Sequence, residues 1–248
     1  MSLRDDALNG FCAYHALELE RDLALLHRSR GGTGYADAVD RLRRFLGDST
    51  IVRRYPTGTT CEGFIVPPPW NLKGGSARLT DGAWIVPDLH VAPIGAIFLS
   101  GPSRGVERLS LVDAGTGTAA ADYDQSVEGC AVLANGKPSD VYREAVLKRG
   151  ARCIFTDYMP AQDGAIGRTS QELPDTVSYT SFGTEAGGEG FGFNICHRVY
   201  CRLQDMAKVN RVSVDVSLDV DGGTGDLQVL ETRIGKPGRG DPLLRGRP

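Results

Sequence analysis

Between Val212 and Val220 apolar and polar residues alternate without a break. Val212, Val214, Val216, Leu218 and Val220 fall on one side; Ser213, Asp215, Ser217 and Asp219 fall on the other. Successive strand side chains point to opposite faces, so this period of two predicts a strand with one face in a core. A helix would scatter the same valines around its circumference. Such a strand needs further strands and a covering layer to be stable. Asp221-Gly222-Gly223-Thr224-Gly225 is turn-forming, and the apolar run Leu227 to Ile234 follows it. Together they predict an antiparallel hairpin. Gly235 to Pro248 is Gly, Pro and Arg with little apolar content, is expected to be disordered, and can cover nothing.

Leu109 to Tyr158 reads as a β-α-β unit. Leu111-Val112 ends a strand, Asp113 to Thr118 is a Gly-Thr loop, and Cys130 to Ala134 is a short buried strand. Pro138-Ser139-Asp140 opens a helix, because serine and aspartate can cap its free N–H groups. Val141 and Ala145 carry the helix to Gly150, and Ala151 to Thr156 forms the next strand. Upstream, apolar spacing at Phe11, Tyr14, Leu17 and Leu25 predicts a helix over Asp6 to Leu26. Tyr35, Val39, Leu42 and Leu46 predict a second, and Ile51 to Tyr55 reads as a strand. Thr57 to Arg108 carries Pro67-Pro68-Pro69 and short apolar runs at Phe64-Ile65-Val66, Trp84-Ile85-Val86 and Ile94 to Leu99, which read as short strands among loops. Asp157 to Gly192 reads as loop, with a strand at Val177 to Phe182 and a mobile glycine-dense stretch at Glu185 to Gly192. Asn194 to Ala207 reads as a short helix.

Composition excludes some classes of function. The net charge of -3 gives no basic footprint for nucleic acid. No stretch approaches the roughly 20 apolar residues that span a bilayer. The N-terminus lacks the basic start and apolar run of a signal peptide, so a cytoplasmic location is expected, with the six cysteines reduced.

The chemistry-bearing motifs are sparse. None of His15, His27, His90 and His197 sits in His-Glu-x-x-His or has a carboxylate two residues on. Cys196-His197-x-x-x-Cys201 has a ligand-like look, but Cys196 and Cys201 do not share a helix face. Gly115-Thr116-Gly117-Thr118 lacks the lysine and the following helix of a phosphate loop and reads as a turn. No Gly-x-Ser-x-Gly elbow occurs, and Cys153 lies in a buried strand. An enzyme of some other chemistry would have to draw on Asp88, His90 or Cys196.

Three stretches resemble one family. Ser110 to Tyr158, with Asp113 to Gly115, Gly129 to Leu133 and Arg149 to Ala151, resembles a protease-associated domain. Tyr55 to Asn71, with Val66-Pro67-x-x-Trp70-Asn71, is similar to the segment that precedes that insert in bacterial aminopeptidase-like proteins. His27-Arg28 with Gly32, Tyr35 and Ala36 resembles the family's N-terminal helix junction. The family is the zinc-dependent aminopeptidases of the glutamate carboxypeptidase and transferrin receptor clan.

The resemblance implies an α/β (α+β) chain. Residues 1–56 would be N-terminal helices and a first strand, 57–207 a protease-associated insert, 208–234 the first hairpin of the aminopeptidase-like sheet, and 235–248 a disordered tail. It implies two zinc ions in the full-length family, bound by His-x-Asp and Glu-Glu motifs that this sequence does not contain. Catalytic, cofactor and metal residues are therefore none, no cofactor is expected in this chain, and the expected role is a substrate lid without activity of its own. The rivals are a non-catalytic peptide- or protein-binding module, and a peptidase completed by a second chain. With an uncovered 212–234 hairpin, self-association or a complementing chain is expected there, and a frameshift would account for the abrupt tail.

Overall fold

The computed structural model describes residues 13–47, 50–160, 168–183, 188–209, 211–222 and 225–232. In chain order the elements are α1 (Ala13–Ala24), α2 (Thr33–Leu46), β1 (Ile51–Tyr55), β2 (Thr60–Cys61), β3 (Phe64–Ile65), β4 (Asn71–Leu79), β5 (Trp84–Val86), β6 (Glu107–Asp113) and β7 (Ala131–Leu133). There follow α3 (138–147), β8 (Cys153–Thr156), β9 (Phe191–Asn194), α4 (His197–Val209), β10 (Val212–Asp221) and β11 (Leu227–Glu231). They form two compact units. Among the described residues, one holds 13–69 with 225–232, and the other is Trp70–Gly222.

The first unit holds α1, α2, the small β2–β3 pair and a ribbon of β1 with β11, in register from Ile51 opposite Glu231 to Tyr55 opposite Leu227. The Tyr35 hydroxyl of α2 donates to the Gln228 carbonyl of β11, and Arg53 pairs with Glu231 across the ribbon. In α1 Leu23 is buried, while Tyr14 and Leu17 of the predicted apolar stripe, and Leu25 just past the helix, are exposed.

The second unit is a seven-stranded mixed sheet in the order β5-β4-β10-β6-β7-β8-β9. The alternation at 212–220 does make a strand, and its apolar side is buried throughout, from Val214 and Val216 at 0% to Val220 at 7%. The expected hairpin does not form. β10 pairs antiparallel with β4 on one side and with β6 on the other, while β11 pairs with β1 in the other unit. Period-two patterning fixes which face of a strand is buried but says nothing about the strand beside it. Here both partners lie more than a hundred residues upstream: Val214 stands opposite Leu79 and Leu109. β10 thus has both edges paired and its apolar face buried, whereas β11 pairs with β1 alone among the described strands. The tail from 233 onward, including Ile234, lies outside the described residues, as do the start of the first helix before Ala13 and much of the glycine-dense stretch.

From β6 to β9 the strands run parallel and both faces are covered, as parallel sheets require. Leu109, Leu111, Leu133, Phe155, Phe193 and the β10 valines pack with Tyr200 and Leu203 of α4. On the other face Val132 and Ile154 pack with Val141, Tyr142 and Ala145 of α3. The β7-α3-β8 unit forms as its sequence predicts, with α3 opening as a turn of α-helix and widening into a π-helix over Tyr142–Leu147. The segment around Ala96 bridges the outer edge of β9, so the sheet nearly closes.

Two strands of the large sheet are not foreshadowed. β4 contains Gly74-Gly75-Ser76, residues that pack poorly in strands. A Cβ on Gly75 would lie 2.4 Å from the Ser217 carbonyl oxygen, two residues before the bulge that falls at Lys73 opposite Asp219 and Val220. β9 lies partly in the stretch expected to be mobile, yet all four of its residues are buried. A Cβ on Gly192 would meet Ile97, the Ile154 carbonyl and Phe182 at 2.7–2.8 Å, so the glycine marks close packing rather than looseness.

Arg152, just before β8, ties this half together. Its guanidinium pairs with Glu107 of β6 at 2.8 Å, donates to the carbonyls of Pro102 and Glu189, and lies over the Phe191 ring at 5.0 Å. Hydrogen bonds from Arg152 hold the Glu107 carboxyl below the usual carboxylate range. A depressed folded-state pKa contributes stability that is present above the unfolded value and lost as pH falls through the folded one.

Two outcomes follow for stability, both read by urea unfolding. Ala145→Asp places an unpaired charge at a fully buried position and should cost about 3 kcal/mol or more. Glu107→Gln should cost about 1–3 kcal/mol at pH 7. That difference should shrink progressively below pH 4.5, the carboxyl's reference value, as the wild-type Glu107 protonates.

Candidate functional site

In open parallel sheets the carboxyl ends of the strands form the natural crevice, because the loops that follow them converge there. In this unit that end gathers Asp113 from β6, the Asn135-Gly136 turn after β7, Asp157 after β8 and His197, which follows β9 and opens α4.

Asp157 is the first residue past β8, with a side chain only 2% exposed. Its Oδ2 lies 2.6 Å from Nδ1 of His197, and its Oδ1 is buried without a hydrogen-bond partner. A buried carboxylate without compensation is costly, so His197 is what permits Asp157 here. A carboxylate only accepts, so Nδ1 must be the donor. In the neutral ring Nε2 is then an acceptor. Facing it at 3.4 Å is Sγ of Cys201, one helical turn on and half-buried against the core. The thiol therefore donates to the imidazole, and the three side chains form a Cys201–His197–Asp157 relay. This is the order in which a nucleophile, a base and an orienting carboxylate are found in thiol catalysis.

The surroundings hold the relay in place. The Tyr200 ring is stacked on the imidazole with planes 7° apart. Burial, with the charges of Asp113 and Asp157, pushes its phenol well above the ordinary tyrosine value. Asp113 accepts from the Gln204 amide at 3.0 Å, fixing α4 against the end of β6.

The other motifs take structural roles. The Thr116 hydroxyl and the backbone N–H groups of Ala119 and Thr118 all donate to Asp122, which holds that carboxyl low. The Gly-Thr loop is thus a closed turn and offers little to a phosphate. Asp88 accepts from the His90 backbone N–H at 2.9 Å, an Asx turn rather than a side-chain dyad. Cys196 stands just before α4 and is half-buried. Cys153 is fully buried, and desolvation pushes its thiol up, as expected for an inert core residue. Among the described residues no group of three or more His, Cys, Asp and Glu could hold a metal ion. No described helix is long and apolar enough to cross a membrane.

Cys201 and His197 could be seen as a cluster in the sequence, but Asp157 was hidden in an expected loop. The available signal was an acidic residue directly after a buried parallel strand.

No family model matches the chain, and no curated protein matches it. Solved structures do. A putative peptidase from Clostridium acetobutylicum is 14% identical over 86% of this chain and 35% of that one, with a TM-score of 0.48. An aminopeptidase from Aneurinibacillus sp. strain AM-1 is 15% identical over 86% of this chain and 45% of that one, at 0.47. A peptidase M28 precursor from Shewanella amazonensis SB2B is 13% identical over 86% of this chain and 48% of that one, at 0.51. What is shared with the Shewanella protein is the fold. The chain spans less than half the length of each of these proteins. The expectation of an α/β chain is met, with a fold shared with part of a peptidase.

The relay itself makes a stability prediction. His197→Ala would leave the Asp157 carboxylate buried with neither oxygen bonded. It should cost about 1–3 kcal/mol at pH 7 in urea unfolding, more than an exposed histidine would.

Proposed function

We propose that this chain is the accessory, substrate-facing part of an aminopeptidase-like protein, with the Trp70–Gly222 unit as a protease-associated module that borders the peptide cleft. The observation that carries this reading is the likeness in fold to 48% of the length of the Shewanella M28 precursor. The motifs at Asp113 to Gly115, Gly129 to Leu133 and Arg149 to Ala151 add to it. In a peptidase of this kind paired metal ions activate the attacking water and polarise the peptide carbonyl. The ligands for two zinc ions would come from sequence outside the described residues, in the same polypeptide or in a second one. That sequence would also cover the apolar groove of the first unit, where Phe64 is 79% and Ile65 70% exposed beside Tyr55, Leu227 and Val229. A cytoplasmic location fits this reading, since the described cysteines are all free thiols.

The purified chain is expected to hold no stoichiometric zinc by elemental analysis and not to hydrolyse leucyl-p-nitroanilide. Chelator-sensitive turnover would overturn the accessory role. Sequencing 3′ of this coding region is expected to reveal His-x-Asp and Glu-Glu motifs; a locus without them would leave a stand-alone binding module.

A further inference from the structure

The accessory role proposed above makes no use of the Cys201–His197–Asp157 relay. A core that needed only volume at these positions would use aliphatic side chains rather than hold a buried carboxylate with one bare oxygen. The spacing of His197 and Cys201 puts both on one face of α4, and the adjacency of β8 and β9 brings Asp157 beneath them. Two elements, the end of β8 and the first turns of α4, thus bring three side chains into one chain of contacts that ends on the sulfur. Unlike the fully buried Cys153, Cys201 is only half-buried.

We propose that Cys201 is a reactive thiol, activated by His197 and positioned by Asp157, that exchanges with low-molecular-weight disulfides to form a mixed disulfide on α4. His197 Nε2 takes the thiol proton. The thiolate attacks one sulfur of the disulfide, forming the Cys201–sulfur bond as the original sulfur–sulfur bond breaks. The departing thiolate takes the proton from the imidazolium and leaves as a thiol. Cys201 is oxidised and the departing sulfur is reduced, so no further oxidant is needed. The geometry suits this step. Exchange needs a thiolate and a proton store, whereas acyl transfer would also need donors aimed at a carbonyl oxygen. Asp157 touches neither sulfur. It acts through the ring, fixing the tautomer that leaves Nε2 facing Sγ.

The test uses the folded full chain, oxidised glutathione at pH 7 and peptide mapping by mass spectrometry. Cys61, half-buried in the other unit, is the internal comparison. Cys201 should be modified at least about tenfold faster than Cys61, and His197→Gln should bring it down to the Cys61 rate. Asp157→Asn should slow Cys201 and change the His197 tautomer seen by heteronuclear NMR of the imidazole, a readout that a merely structural role would not move. Thermal melting confirms that each variant is folded. Should Asp157→Asn fail to fold, the His197→Gln rate still decides. Modification of Cys201 no faster than Cys61 in the wild type, or an unchanged rate in folded His197→Gln, overturns the proposal.

Discussion

The Trp70–Gly222 unit depends on one strand having both its edges occupied. β10 joins an antiparallel side, β4 and β5, to a parallel side, β6 through β9. Its buried valines enter the same core as the phenylalanines of β8 and β9 and as Tyr200 and Leu203 of α4. Remove its ladder and β4 loses its main partner, β6 becomes an edge, and the two sides no longer share a core. The bulge at Asp219 and Val220 lies beyond the stretch paired with β6, where β10 continues against β4 alone.

Around this strand the packing is close, and polar groups are used where they tie chain segments together. Phe155 stacks on Phe193 with ring centroids 5.3 Å apart, and Phe193 meets Phe191 edge-on at 6.0 Å. Gly192 fits between Ile97, Ile154 and Phe182 because it has no side chain. Arg152 is the complement of that apolar layer: one cation satisfies a carboxylate and two loop carbonyls while covering an aromatic face. Asp157 and His197 are the same device at the opposite end of β8, with a thiol in place of the loop carbonyls.

How much of this was legible follows from what patterning encodes. Alternation at Val212–Val220 specified a strand and its buried face because both are local properties. It could not specify β4 and β6, whose pairing is a long-range outcome, and the tempting turn at Asp221-Gly222 suggested the wrong neighbour. The β7-α3-β8 unit was readable throughout, since its helix start, apolar spacing and Gly150 stop all lie within a few residues of one another. β4 and β9 escaped notice because the glycines that permit close approach lower strand propensity in the same stroke. The site was half legible. His197 and Cys201 announce themselves by spacing on one helix, but Asp157 stands forty positions away. Only the parallel pairing of β8 with β9 brings it under the imidazole.

The place of β10 late in the chain also constrains how the molecule is made. When a ribosome has released β4 through β9, the parallel side can already assemble, since β6, β7, β8 and β9 are neighbours in sequence order as well as in space. β4 can pair only with the short β5, because β10, its longer partner, has yet to emerge. Until then β4 and β6 each present an unpaired backbone edge, and the apolar floor of the sheet stays open between them. Closing that gap by inserting a central strand joins residues far apart in sequence, the slow class of contact in folding. Gly74-Gly75-Ser76 in β4 then takes on a second meaning. A waiting edge with so little side chain and so weak a strand preference is a poor template for a stray strand from another molecule, and it holds the slot for its own.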